Sequence, residues 1–407
     1  MSSESADKTT IPTQIFFTTH IHTITTTRLL RIATICFSGT VGGLELATLR
    51  RAAELQGNGH HVISILPNSA AILEQAKRLG ITATAITPRF SYLDILAARK
   101  LRKILDREEI DLLLVARTRD LSTAMLAAGT GRAVVLYQQM QFGQRKKDVF
   151  HNWVYRRLDG CVGITHRQRD QFIRLTNLAP EKISVVPYGI HADHFSPTVI
   201  PASAARAEMG IPDTAFLVGI VGGFNPGKGQ REFLEGVRLA WQEAPSIREH
   251  LWAVLVGERP TDVGQYTTDL RALRDSLPFR ERVLFRPFLN DPRTAYAGLD
   301  VFILASHSET FGMVLQEAMA MGVACIGTDA GGVPEIIAHE ERGLLIAPNN
   351  PKAIADAMLR LFHNPELRQT LAANARQFVL RAYDSQKQYV AFQEALEQAA
   401  ARRIKRR

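Results

Sequence analysis

Short apolar runs recur along the chain, spaced so that a helix fits between successive pairs. In the first half they fall at 29–37, 61–66, 83–86, 111–116, 133–137, 160–165 and 183–187. Runs of Val, Ile, Leu and Ala of this length are the pattern of strands buried on both faces. The stretches between them predict one helix ending near 56 and others over 70–79, 92–106 and 121–128. The rhythm lapses across an Ala- and Pro-rich stretch reaching 212. It restarts with strands at 216–221, 252–256, 283–285, 301–305, 324–327 and 344–346. Helices over 231–244, 263–276, 312–321 and 351–362 belong to this second set, and Asn350-Pro351 supplies an N-cap and a first-turn proline for the last. Two long helices close the chain. Such alternation predicts an α/β fold with parallel, doubly wound sheets.

With 407 residues the chain exceeds one ordinary core, so two domains are expected. Residues 1–28 are rich in Thr and Ser, without periodicity or an apolar core segment, and read as a flexible extension, not a signal peptide. The remainder divides into 29–195, 196–382 and a terminal 383–407 that ends in Arg402-Arg-Ile-Lys-Arg-Arg407. Composition is that of a globular protein, 46% hydrophobic and 22% charged, with no apolar run long enough to span a bilayer. The formal net charge of +9 points to an anionic partner: nucleotide, nucleic acid or lipid headgroup. Nucleic acid fits poorly, because the basic residues are scattered and no recognised module appears. Cys36, Cys161 and Cys325 stand singly in apolar strands. They form neither metal spacing nor a disulfide framework, which favours a reducing, cytoplasmic location.

Candidate chemistry concentrates at strand ends. The stretch 306–322 reads strand, polar turn, helix, with Glu309 in the turn and Glu317 inside the helix. Ligands of open α/β sheets bind at the carboxyl ends of strands. The amides of Phe311, Gly312 and Met313 at the helix N-terminus favour an anion such as phosphate. Lys228 lies in the glycine-bearing turn 222–229 and is suited to neutralise a diphosphate. This turn is not a Walker loop, because Gly229 follows the lysine. Gly42 and Gly43, after the first strand, let backbone approach a ligand, though a tight turn without a ligand reads equally well. His191, Asp193 and His194 crowd one loop with no fourth ligand and read as turn residues, so no metal site is expected.

The segment 141–157 places Phe150, Trp153 and Val154 at helical spacing among Arg145, Lys146, Lys147, Arg156 and Arg157. A basic, aromatic-bearing helix of this kind can rest on an anionic membrane face. The same spacing also serves a core helix with a solvated charged side.

The stretches Val185-Val-Pro-Tyr-Gly-Ile190, Asn225-Pro-Gly-Lys-Gly229, Glu309-Thr-Phe-Gly-Met-Val-Leu-Gln-Glu-Ala-Met319 and Gly331-Gly-Val-Pro-Glu335 together have a specific signature. In them the chain resembles the retaining GT-B glycosyltransferases called group 1 or family 4. The paired glutamates eight positions apart, in that Phe-Gly and Glu-Ala-Met context, carry most of the resemblance. It implies two facing Rossmann-like domains, with a C-terminal helix crossing back onto the N-terminal one. The C-terminal domain would bind a nucleotide-sugar donor, and the N-terminal domain a glycan or glycolipid acceptor of cell-surface polysaccharide or lipopolysaccharide synthesis. By resemblance Glu309 lies beside the transferred sugar, and the amides from Thr310, Phe311, Gly312 and Met313 lie near sugar and phosphate. Glu317 would hold the ribose hydroxyls and Lys228 the diphosphate, while Gly42-Gly43 closes over the phosphates. No metal or other cofactor is implied.

Two positions depart from the family pattern. Gly223 stands where an arginine is common, leaving Arg231 or another basic residue to complete the cationic clamp. Gln138, Gln139 or Gln141 stands where a histidine often follows the fifth strand. These departures keep a second reading open, a non-catalytic nucleotide-sugar-binding or scaffold protein. A sugar-nucleotide epimerase is disfavoured by the 309/317 pair.

Overall fold

The computed structural model describes residues 28–39, 41–137, 148–258, 264–289 and 291–405. Its first half runs β1 (Arg31–Ile35), α1 (Gly43–Gly57), β2 (His61–Leu66), α2 (Ala70–Arg78), β3 (Ala83–Ala85), α3 (Ile95–Arg107) and β4 (Leu112–Val115). There follow α4 (Leu121–Ala128), β5 (Ala133–Tyr137), α5 (Val149–Arg157), β6 (Gly160–Gly163), α6 (His166–Leu175) and β7 (Ile183–Val185). The seven strands form one parallel sheet in the order β3-β2-β1-β4-β5-β6-β7.

The second half opens with α7 (Ala202–Met209), β8 (Phe216–Val221), α8 (Gln230–Glu243), β9 (Leu251–Glu258), α9 (Gln265–Asp275) and β10 (Val283–Pro287). It continues with α10 (Arg293–Ala297), β11 (Val301–Leu304), α11 (Met313–Ala320), β12 (Ala324–Thr328), α12 (Val333–Ile337) and β13 (Leu344–Ile346). Its sheet is also parallel, in the order β10-β9-β8-β11-β12-β13. The chain closes with α13 (Pro351–His363), α14 (Pro365–Ala382) and α15 (Ser385–Ile404). The apolar runs are strands buried on both faces: every residue of β4, β5, β11 and β12 is buried. Each sheet reverses its winding beside its first strand, between β1 and β4 and between β8 and β11. That reversal opens a crevice at the carboxyl ends of those strands.

Local chemistry moves several boundaries from the sequence expectation. The helix expected over 92–106 begins at Ile95, because the Asp94 carboxylate accepts the Ala97 amide at 2.8 Å as N-cap and Tyr92 takes φ +72°. Of the segment 141–157, the part from Asp148 is described: Asp148 caps α5 through the His151 amide at 3.0 Å. Gln138, Gln139, Gln141 and Arg145 lie outside the described residues. Four helices were not expected: α6, α7 and the short α10 and α12. In α6 only Gln168 and Phe172 are buried, too few apolar positions for a readable period. In α7 the Ala-rich stretch expected as an irregular connection is bracketed by Pro201 and a left-handed Gly210, ordinary start and stop signals.

The last helix returns to the first sheet, as the resemblance implied. Tyr188 to Ile190 meets the α14–α15 junction: Ile190 donates to the Tyr383 carbonyl at 2.7 Å, and Ser385 to the Ile190 carbonyl at 3.1 Å. α15 then lies along β5 and β6, with Phe392 edge-on to Tyr137 at 5.2 Å and the buried Arg51 guanidinium 4.2 Å over the Phe392 ring. Arg402 donates to the Asp159 and Glu181 carbonyls and Arg403 to those of Gly129 and Thr130. The first two cations of the basic tail are thus engaged with the protein itself.

The crossing is tight at Gly189, where a Cβ would lie 2.6 Å from the Ser385 Cα. Gly189→Ala is expected to cost about 1–3 kcal/mol, the usual range for overpacking. Gly57→Ala, where a Cβ meets nothing within 4 Å, should cost far less. Urea unfolding of the two variants checks this.

Candidate functional site

The crevice of the second sheet is built from three turns that follow β8, β11 and β12. The first carries a 3₁₀ turn, Pro226–Lys228, and then Gly229, which caps α8 at φ +73°. A Cβ on Gly229 would sit 2.1 Å from the Ala305 carbonyl oxygen, so only glycine lets this turn lie against the end of β11. The contact is completed by the His307 amide, which donates to the Gly227 carbonyl at 3.0 Å. The turns after β11 and β12 are tied in the same way. Thr328 donates its hydroxyl to the Ser306 carbonyl at 2.6 Å, and the Gly332 amide donates to the Glu309 carbonyl at 2.9 Å.

This frame brings two predicted residues together. Lys228 Nζ donates to Glu309 Oε2 at 2.7 Å, and the Ser306 hydroxyl lies 3.5 Å from the same oxygen. Glu309 is mostly shielded, and Lys228 keeps about a third of its side chain exposed. Beside them Gly312 caps α11, whose first turn begins at Met313; its leading amides have no partner within the helix. Thr310 is pressed against Gly332, where a Cβ would be 2.3 Å from the Thr310 oxygen. Phe311 is buried, edge-on to Tyr188 and Tyr383 at 5.5 Å each.

Glu317 lies one helical turn further in, where Tyr296 donates its hydroxyl at 2.8 Å. Burial pushes the Glu317 carboxyl from its ordinary 4.5 up to about 7, against the Tyr296 hydrogen bond and the pull of the Arg50 guanidinium. Arg50 belongs to α1, so the positive charge that bears on Glu317 comes from the opposite domain, while Asp291 in its own domain pushes the carboxyl up. Neither Tyr296 nor Arg50 was anticipated, since both lie outside any motif.

Gly223, the departure from the family pattern, sits in open space: a Cβ there meets nothing within 4 Å. Its carbonyl accepts from Gln230 at 3.0 Å, and Gln230 in turn accepts from the Tyr266 hydroxyl at 3.1 Å. Arg231, the suggested substitute cation, is more than half exposed and leans toward Glu235 at 3.4 Å.

In the first sheet the crevice between β1 and β4 holds the Gly42-Gly43 turn. Gly42 caps α1, its amide donating back to Glu45 at 3.1 Å, and Gly43 is the first helical residue. Asp120, which sequence reasoning missed, is buried there and accepts the Phe37 amide at 3.0 Å. Burial raises its carboxyl above the usual range. Its only sequence signal was a polar turn directly after the buried strand β4. Among the described residues no three His, Cys, Asp or Glu side chains converge as metal ligands. His191 lies 3.2 Å from the Ser385 hydroxyl, and His194 packs edge-on against Phe195 at 4.9 Å.

The description "Glycosyl transferases group 1" matches residues 202–378, and "Glycosyltransferase Family 4" matches 41–194. The chain belongs to the group 1 glycosyltransferase family. It is 31% identical over 224 residues to a D-inositol 3-phosphate glycosyltransferase of Thermomonospora curvata, covering 53% of this chain and 52% of that protein. A relative of the same name from Saccharomonospora viridis is 30% identical over 226 residues, covering 55% and 52%. The chain thus spans about half the length of the curated relatives it matches.

Among solved structures, Anabaena HepE in complex with UDP superposes with a TM-score of 0.79 at 22% identity, covering 90% of this chain and 100% of that one. A glycosyltransferase from Rickettsia africae gives 0.80 at 18%, covering 91% and 98%. At these identities the likeness concerns the fold, GT-B. The family motif therefore stands on the predicted architecture, with Glu309, Glu317 and Lys228 in one crevice.

The raised Glu317 carboxyl has a consequence for stability. Its folded value near 7 exceeds the ordinary 4.5, so the fold favours the protonated form. That stabilisation is fully present below pH 4.5 and is lost as pH rises through about 7. Glu317→Gln, which cannot ionise, is expected to gain about 1–3 kcal/mol relative to wild type between acid and pH 8, after allowance for solvent screening. Melting temperature against pH for both proteins measures the difference.

Proposed function

We propose that this protein transfers a sugar, with retention of anomeric configuration, from a nucleoside diphosphate sugar to a glycan or glycolipid acceptor. The observation that carries the reading is the Lys228–Glu309 contact beside the N-terminus of α11, at the switch point of a parallel sheet. Transfer breaks the bond between the anomeric carbon and the diphosphate oxygen, and its electron pair leaves on the diphosphate. Lys228 and the first amides of α11 are suited to stabilise that negative charge. Glu309 lies where a carboxylate faces the sugar as positive character develops at its anomeric carbon. The acceptor hydroxyl forms the new bond, and its proton departs with the diphosphate. Glu317, near its titration point, accepts ribose hydroxyls.

A uridine diphosphate sugar is the favoured donor, supported by the UDP- and UDP-glucose-bound HepE structures of the same fold. An acceptor in surface polysaccharide or lipopolysaccharide synthesis is supported by likeness to WaaG, a glycosyltransferase involved in lipopolysaccharide biosynthesis, at a TM-score of 0.66 and 18% identity. The open position Gly223 favours one rival, binding without transfer. A thermal-shift panel of UDP-, GDP- and ADP-sugars separates them, since a ligand of the folded state raises the melting temperature. Stabilisation by UDP-sugars is expected, and Lys228→Ala and Glu317→Ala should abolish it. With a competent acceptor, Lys228→Ala is expected to lower kcat about 10²–10³-fold, as for removal of one transition-state donor. Binding without release of UDP would support the scaffold reading.

We also infer peripheral contact with an anionic membrane through the first domain, on the cytoplasmic face. Residues 28–195 carry 24 Lys and Arg against 14 Asp and Glu, while the rest of the chain carries 25 against 26. The whole positive excess thus belongs to one domain. The loop before α3 and the start of α5 expose Phe90 by 67% and Val149 by 87%, with Tyr92, Ile95, Leu96, Phe150 and Trp153 also exposed. Arg157 lies 4.6 Å over the Trp153 ring, a pairing suited to a headgroup layer. Among the described residues no helix is long and apolar enough to cross a membrane. Co-sedimentation with phosphatidylglycerol vesicles at low salt is expected, weakened by added salt and by the double variant F90S/W153S. No binding to such vesicles would remove this partner.

A further inference from the structure

The two domains meet across the crevice at one carboxylate that the transfer reading does not use. Glu335, at the start of α12, reaches the N-terminus of α6 in the first domain. Its Oε2 accepts the His166 amide at 2.8 Å and its Oε1 the Arg167 amide at 2.7 Å. The hydroxyl of Thr165, the N-cap of α6, accepts the next amide, that of Gln168, at 3.1 Å, and its carbonyl accepts that of Arg169. The cap of this helix is therefore divided between domains, with its first two amides served from across the cleft. A carboxylate at a helix N-terminus gains from the macrodipole and from two charge-assisted bonds.

The same contact continues to the reaction centre. Gly332, three residues before Glu335, has a Cβ position only 2.6 Å from the Thr165 methyl and 2.3 Å from the Thr310 oxygen. Its amide holds the Glu309 carbonyl. The absence of a side chain at 332 lets the first domain, the turn after β12 and the Glu309 turn touch at one point. Arg167 and Asp329 add a 3.8 Å pair with both side chains more than half exposed, which contributes little.

We propose that Glu335 is the positioning residue that latches the closed cleft and braces the Glu309 turn against the first domain. The latch is reversible because water replaces Glu335 at the two amides when the cleft opens, leaving neither side unsatisfied. Closure then raises the fraction of protein competent to hold the donor, and apparent affinity follows that fraction. The proposal rests on the transfer reading for its kinetic arm only.

The test is Glu335→Gln, which sets an amide nitrogen against one of the two backbone N–H donors, with Glu335→Asp as the conservative variant. In small-angle scattering without any ligand, Glu335→Gln should have a larger radius of gyration than wild type, and Glu335→Asp should fall between them. In donor kinetics with a UDP-sugar, Glu335→Gln should raise KM about tenfold while kcat at saturation changes little. An unchanged radius of gyration, even with a lowered melting temperature, would reduce Glu335 to a local helix cap and overturn the latch. If wild type neither binds nor transfers any sugar nucleotide, the transfer reading fails, and the scattering comparison still decides the latch.

Discussion

The turn after β8 lies so close to the end of β11 that no side chain fits between Gly229 and the Ala305 carbonyl. That approach fixes where Lys228 stands, and with it the electrostatics of the crevice. Lys228 and Glu309 meet at 2.7 Å, so each partly shielded charge has a counter-ion before any substrate arrives, and neither ion bears an uncompensated desolvation cost. On the proposed reading, a diphosphate entering the site would compete with Glu309 for Lys228 and leave the carboxylate to face the sugar. The turns need no rearrangement for this, because backbone and hydroxyl bonds at Gly227, Ser306 and Glu309 already hold them. Donors fixed in advance of charge development are the effective ones.

Much of this was legible in the chain. Continuous apolar runs marked the strands because a parallel sheet covered on both faces needs no alternation. The 309/317 spacing and the glycine-rich turns marked the crevice because those positions need particular residue types. What escaped notice depended on partners distant in sequence. Tyr296 matters through Glu317 and Arg50 through the field it casts from the other domain, while Glu335, quoted only as the end of a family stretch, matters through amides 169 and 168 positions away. Helix α6 escaped because its exposed face is charged and its buried face carries Gln168 and Phe172 alone. Helix α7 escaped because alanine gives no amphipathic contrast, although its bracketing Pro201 and Gly210 were readable.

Charge divides between the domains in a way that composition alone concealed. The second domain, with nearly balanced charges, offers anions only local groups, Lys228 and a helix N-terminus acting at short range. The first domain carries the entire excess, and its field reaches partners not yet in contact chiefly when salt is low and the Debye length is long. Local donors select a small phosphate ester with geometric precision. A distributed field attracts an extended anionic surface without specifying its register. The two proposed anionic partners, a nucleotide sugar and a membrane surface, would thus be met by different physics.

The contacts between domains differ in the same spirit. At the crossing, Tyr137, Arg51 and Phe392 pack closely, and Gly189 lies against the backbone of Ser385. Separating those groups would expose aromatic surface and an arginine that has little water around it. At the mouth of the cleft the joining groups are backbone amides and a carboxylate that water can take over when they part. The costs of opening are therefore unequal along the interface, low at Glu335 and high at the crossing. On the latch proposed above, the domains would pivot about the packed crossing and part at the wet edge.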